Sequence, residues 1–219
     1  MFQLKFRNQK LEIRGINKMK KEDVKELHFI TYISNIPSIQ SEGILSRNEM
    51  QRKRMKFEDI SEQGVQEHRA SKKIPGTAKY LHDYANLYFD AHNPMLSRRR
   101  SENDEICVLR ISRDVLNLNG VIVTDKNAAR ECWFKPVDEG LPLLDRNEIY
   151  MVKWKDPNDG INEYRQAGIK CAEILVPERV ESRYIIGTYV ANQTALEVFS
   201  KVSDLPVELN DNMFFYGGY

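Results

Sequence analysis

The sequence predicts an α+β fold, and three observations carry that prediction. Short β-branched and aromatic runs bounded by turn formers, such as "EICVLRIS" and "YIIGTYVA", read as strands. Other segments carry helix caps and helix length, such as "QTALEVFSKV" behind Asn192. The two kinds intermix without the regular beat of a doubly wound parallel sheet, so a mixed sheet fits better.

In chain order, "ELHFITYI" is a strand with Leu27, Phe29 and Thr31 on one face and His28 and Ile30 on the other. "SNIPSIQSEGIL" is a short helix, with Ser34 or Asn35 as cap, Pro37 early and Gly43 at the end. A polar stretch runs from Ser46 to about Lys56. "FEDISEQGVQEHRASKKIP" reads as helical up to Pro75 and Gly76. "NLYFDA", "EICVLRIS" and "GVIVTD" are strand-like, while "KNAARECWF" and "DRNEIYMVKW" are ambiguous. "GINEYRQAGI" reads as helix or loop, and "CAEILVP" and "YIIGTYVA" as strands before the final capped helix. With no repeat, low-complexity tract or Gly/Ser linker, one domain is expected over 1–219, a basic extension (1–25) preceding a core (26–219).

Hydrophobic residues at 41% and charged residues at 30% give an ordinary globular balance, and no apolar run reaches the ~18–20 residues of a membrane span. The charged N-terminus lacks the apolar centre of a signal peptide, so a cytoplasmic location is expected. Cys107, Cys132 and Cys171 show no C-x-x-C spacing and suit reduced thiols. His28, His68, His82 and His92 show no metal-binding spacing, so no metal is expected. Gly-rich phosphate loops and G-x-S-x-G are absent. The net charge of +1 hides two basic clusters: Arg47, Arg52, Lys53, Arg54 and Lys56 against Glu49, and Arg98 to Arg100. Such clusters attract polyanions; a solvated face is the alternative.

Three residues stand out. Glu173 interrupts the apolar strand "CAEILVP". Either the strand is an edge with the acid in water, or the carboxylate is paired or faces a cleft. Arg69 lies on a helix with Gln66 one turn before it, as a solvated cation or as a fork gripping phosphate or carboxylate. His28, on the first strand, is either a structural hydrogen-bonder or a functional group.

These segments, in this order, resemble the DarT-type DNA ADP-ribosyltransferases, the toxin halves of bacterial toxin–antitoxin pairs. "LHFIT" is similar to the family's Y-H-I-T opening, and "VQEHRASKKIP" to I-Q-x-R-R-x-x-x-V-P, whose second Arg, catalytic in the family, falls on Arg69. "LHDYANLYFDAHNPML" resembles L-H-D-Y-V-P-F-Y-F-x-P-x-S-P-M-L, the most specific of the matches. "VIVTDKNAA" looks like F-V-F-T-D, and "KCAEILV" is similar to the stretch carrying the catalytic Glu, here Glu173. The likeness runs from about residue 27 to about 190.

The resemblance implies a split mixed β-structure with surrounding helices that binds NAD⁺ in a central cleft. It implies transfer of ADP-ribose to a guanine or thymine base of single-stranded DNA, and an ADP-ribosylglycohydrolase-like antitoxin as partner. It gives Glu173 and Arg69 catalytic roles, and His28, Thr31, Arg69 and Tyr84 cofactor roles. Arg47, Arg52, Lys53, Arg54, Arg98, Arg99 and Asn127 become DNA-facing. Lys126-Asn127 stands where some members carry histidine, a departure that tilts the acceptor towards guanine. RNA, protein or water as acceptor, and a non-enzymatic nucleic-acid-binding module, are the alternatives.

Overall fold

The computed structural model describes residues 17–60 and 63–217. Residues 1–16 of the basic extension expected at 1–25 therefore lie outside the described residues. In chain order the elements are β1 (Glu26–Tyr32), α1 (Ile36–Glu42), β2 (Ile44–Leu45), α2 (Arg47–Arg52), α3 (Gln63–Ser71) and β3 (Tyr84–Tyr88). Next come α4 (Pro94–Arg98), β4 (Ile106–Ser112), β5 (Ile122–Thr124), β6 (Phe134–Pro136), α5 (Val137–Gly140) and α6 (Arg146–Ile149). Last are α7 (Gly160–Lys170), β7 (Glu173–Pro177), β8 (Arg179–Val180), β9 (Ile185–Val190), α8 (Gln193–Ser200) and β10 (Val207–Leu209).

Eight strands form one mixed sheet in the order β10-β9-β4-β1-β3-β7-β5-β6, and β2 pairs with β8 beside it. Only β10 and β9 run parallel among these pairs. β1 and β4 are registered from Glu26↔Ser112 to Tyr32↔Ile106. β1 and β3 meet at a single registered pair, His28↔Tyr88. The sheet is thus split: β10-β9-β4-β1 is one half, β3-β7-β5-β6 the other.

Alternation along β1 feeds two cores. Leu27 and Phe29 pack with Leu87, Val123, Ile174 and Phe199 in the larger cluster. Ile30 and Tyr32 pack with Tyr88, Leu96 and Cys171 on the other side. Each fully buried aliphatic or aromatic side chain contributes about 1.5–3 kcal/mol, so the two faces hold the split sheet from both sides. Gly43 ends α1 at φ 81°, and a Cβ there would stand 2.3 Å from the Val180 carbonyl oxygen. That close approach joins the end of α1 to β8. Asn192 caps α8 by accepting from the Ala195 N–H at 2.9 Å.

Some expectations are corrected. The helix expected from Phe57 begins at Gln63. Ahead of it, Glu58 exchanges two hydrogen bonds with the Asn35 side chain, at 2.8 and 2.9 Å, which holds the backbone out of a helix. Asn35 is thereby diverted from capping α1. The polar stretch after Ser46 contains α2, because the Ser46 hydroxyl accepts from the Glu49 N–H. The segment "GINEYRQAGI" is helix α7, capped by Asp159. Among the described residues, no helix is long and apolar enough to cross a membrane.

Candidate active site

Directly opposed residues of paired strands point to the same face of a sheet. The register pairs His28 with Tyr88, and Tyr88 with Glu173, so these residues form one row across β1, β3 and β7. Tyr88 stands between the histidine and the acid that the sequence singled out. The edge-strand reading of Glu173 is overturned, because β7 lies between β3 and β5 and Glu173 is 0% exposed.

A buried carboxylate requires partners. Arg69 supplies two: its Nη1 and Nη2 donate to Oε1 and Oε2, each at 3.1 Å. The Ala128 N–H donates to Oε1 at 2.9 Å. The Glu173 N–H donates to Thr124 Oγ1 at 3.0 Å, which fixes β7 against β5. Arg69 is 6% exposed. Burial pushes its guanidinium down, and the Glu173 carboxylate more than reverses this, holding it above its ordinary value. Just before β7, the buried Lys170 ammonium pairs with Asp90 and fixes the corner from which Glu173 enters.

A cavity of about 250 Å³ opens on this cluster. Its lining includes Arg69, Thr31 and Tyr84, together with Tyr88 and Asn127. Glu173 lies behind Arg69, outside the lining. His28 is also outside it. Its Nδ1 lies 3.2 Å from the Phe89 carbonyl oxygen and its Nε2 3.2 Å from Glu26 Oε1. A cofactor contact through His28 requires one of these to be given up.

The expected DNA-facing residues divide. Arg47, Arg98 and Arg99 line the cavity. Arg47 pairs with Asp59 and sits over the Phe57 ring, 4.9 Å from its centroid. Arg99 holds the Ile60 carbonyl oxygen at 2.7 Å. Arg52, Lys53 and Arg54 are exposed and outside the lining, Arg52 paired with Glu49 and Lys53 with Glu42. The Asn127 side chain accepts from the Ala129 N–H at 2.9 Å.

Sequence reasoning passed over His82, which lines the cavity and lies 2.9 Å from Gln66 Oε1. Burial first, then the Arg69 and Arg47 guanidiniums, push its imidazole below the ordinary value, favouring the neutral form. Its place in L-H-D-Y was the available signal. Cys171 lines the cavity too, and burial with the Glu173 charge pushes its thiol up to about 12.

A family model described as "ssDNA thymidine ADP-ribosyltransferase, DarT" matches residues 28–215. The chain belongs to the DarT family. A DarT relative from Thermosipho africanus (strain H17ap60334), named a DNA ADP-ribosyl transferase–DNA ADP-ribosyl glycohydrolase fusion protein, is 27% identical over 205 residues. The match covers 88% of this chain and 50% of the relative, so the chain spans about half the relative's length. The structure of Thermosipho africanus DarTG in complex with ADP-ribose superposes with a TM-score of 0.75 at 27% identity, covering 87% of this chain and 51% of that one. Thermus sp. 2.9 DarT in complex with ADP-ribosylated ssDNA gives 0.72 at 22% identity, covering 90% and 100%. The same protein in complex with NAD⁺ gives 0.67 at 21%, covering 88% and 98%. The split mixed sheet with its helices is therefore the DarT fold.

Proposed function

We propose that this chain transfers ADP-ribose from NAD⁺ to a thymine base in single-stranded DNA, as the toxin of a toxin–antitoxin pair. The observation that carries the reading is the buried two-pronged pair of Arg69 and Glu173, its guanidinium side facing the cavity. In the proposed step the bond from nicotinamide to ribose C1′ breaks and neutral nicotinamide leaves. A new bond forms from thymine N3 to C1′, and the N3 proton passes to Glu173, which requires Arg69 to swing off at least one carboxylate oxygen so that the acid meets the cavity. N3 is the nucleophile because it alone among thymidine's ring nitrogens carries a proton. Positive charge builds on the ribose as the old bond breaks, and a fixed carboxylate stabilises it.

The contacts refine the proposed roles. Both terminal nitrogens of Arg69 engage Glu173, which favours a place beside the reacting carbon over a grip on the pyrophosphate. Arg47 and Arg98 are then the cations for the phosphates. Tyr84, Tyr88 and Thr31 bound the nicotinamide-ribose end, and His28 joins them if it releases Glu26 or Phe89. The family description supports thymine over the guanine suggested by the Asn127 departure. A base held in a duplex would first have to leave its stack, which accounts for a single-stranded acceptor. Eight of the ten strands in the described residues share one sheet, which supports a single catalytic domain. The fusion relative supports a DNA ADP-ribosyl glycohydrolase as antitoxin partner. Use of NAD⁺ and DNA together supports a cytoplasmic place of action.

Incubation with labelled NAD⁺ and separate samples of single-stranded DNA, RNA and protein tests the reading. The expected product is labelled DNA whose modified nucleoside is thymidine by mass spectrometry. Glu173→Gln should lower labelling at least about 10²-fold with the fold retained. Undiminished labelling by that variant, label on RNA or protein alone, or nicotinamide release without any labelled polymer would sink it.

A further inference from the structure

We infer that Arg130 and Tyr164 form a stacking platform at the cavity rim for an unpaired nucleobase of the acceptor strand, flanking the modified base. The inference rests on the DNA-transferase reading above. An exposed tyrosine by itself needs no explanation. This one is 64% exposed and carries a fixed guanidinium. Arg130 Cζ lies 4.1 Å from the Tyr164 ring centroid, and its Nη1 donates to the Tyr164 carbonyl oxygen at 2.8 Å.

The platform belongs to the cavity. Arg130 lines it, and so does Ala167, one turn beyond Tyr164 on the same face of α7. Ile161, 87% exposed, continues that stripe one turn outward. Gly168 leaves room beside the guanidinium, since a Cβ there would stand 3.1 Å from Arg130 Nη1 and crowd it. The loop bearing Arg130 is tied to the chemistry: the Ala128 N–H holds Glu173, and the Asn127 N–H donates to the Gly168 carbonyl oxygen at 3.0 Å. The Lys72 ammonium holds the Arg130 carbonyl oxygen.

A guanidinium set over an aromatic ring that is largely exposed offers a surface for the flat face of a base. A phosphate is matched less well, because the guanidinium already gives Nη1 to the Tyr164 carbonyl. Stacking of this kind tolerates any base and requires it to be unpaired.

The test measures binding of a fluorescent mixed-sequence single-stranded oligonucleotide across a salt series, alongside NAD⁺-dependent labelling of the same strand. Tyr164→Ala should weaken binding about tenfold, within the stacking range, without changing the slope of affinity against salt. Tyr164→Trp should retain affinity. Gly168→Ala, which displaces Arg130, should weaken binding in the same direction. Wild-type affinity in Tyr164→Ala, equal losses in Tyr164→Ala and Tyr164→Trp, or a salt slope reduced by about one would overturn the platform. A wild-type protein that labels no DNA overturns the transferase reading instead; one that labels DNA, with Tyr164→Ala labelling equally at limiting strand, overturns the platform alone.

Discussion

Glu173 and Arg69 are each tolerable in the interior only because of the other. Removing one partner of a buried ion pair costs about 3–5 kcal/mol, whereas replacing both with apolar residues of similar size is often neutral. Arg69→Ala should therefore lower the unfolding free energy in urea by about that amount, and Arg69→Met with Glu173→Leu should regain most of it while staying inactive. Glu26 shows a different balance. Burial pushes its carboxyl up, but hydrogen bonds from His28 and Arg110 outweigh this and hold it at about 2. A depressed carboxyl stabilises the fold above its unfolded value and loses that contribution as pH falls through the folded one. Between about pH 4.5 and about pH 2, wild-type stability should fall more steeply than that of Glu26→Gln, a difference measurable by urea unfolding at stepped pH. The acid was legible in the sequence because it breaks its apolar strand, whereas the guanidinium, in a polar helix, was legible through its place in the family's segment. Tyr88 was not, since a tyrosine in an apolar strand looks the same whether it fills a core or floors a cavity.

At the scale of elements, the Gly43 turn is the most constrained junction around the cavity. A side chain there meets the backbone of Val180, which cannot rotate away. Gly43→Ala should cost about 1–3 kcal/mol or more from the left-handed backbone and the clash, seen as a lower urea midpoint with an unchanged slope. Longer strands were read correctly from β-branched and aromatic runs bounded by turn formers: β4 is buried at five of its seven residues and β9 at four of its six. β2, β8 and β10 were missed because two or three residues carry no period. The start of α3 was misplaced because Asn35, distant in sequence, holds Glu58 in an extended path that local propensity does not encode.

For the whole molecule, the site draws on both halves of the split sheet, Thr31 from one and Tyr84 and Tyr88 from the other. A ligand bridging them binds the native state alone. NAD⁺ at a hundred times its dissociation constant should add about 2.7 kcal/mol, which at this chain length raises Tm by roughly 5–10 °C in a thermal-shift measurement. The fold class was readable because strand and helix segments alternate irregularly. The strand order was not, since β3 and β7 pair across the 84 residues of intervening chain from 89 to 172.

That strand order also bears on how the protein comes into being. β3 and β5 are synthesised well before β7, yet β7 lies between them. Their half has an empty slot until the strand bearing the acid emerges from the ribosome. If Glu173 is the proposed catalytic acid, completion of that layer and acquisition of chemical competence are one event. On the proposed reading, a nascent or clipped polypeptide ending short of Glu173 carries the guanidinium and most of the hollow but lacks the carboxylate that the transfer requires.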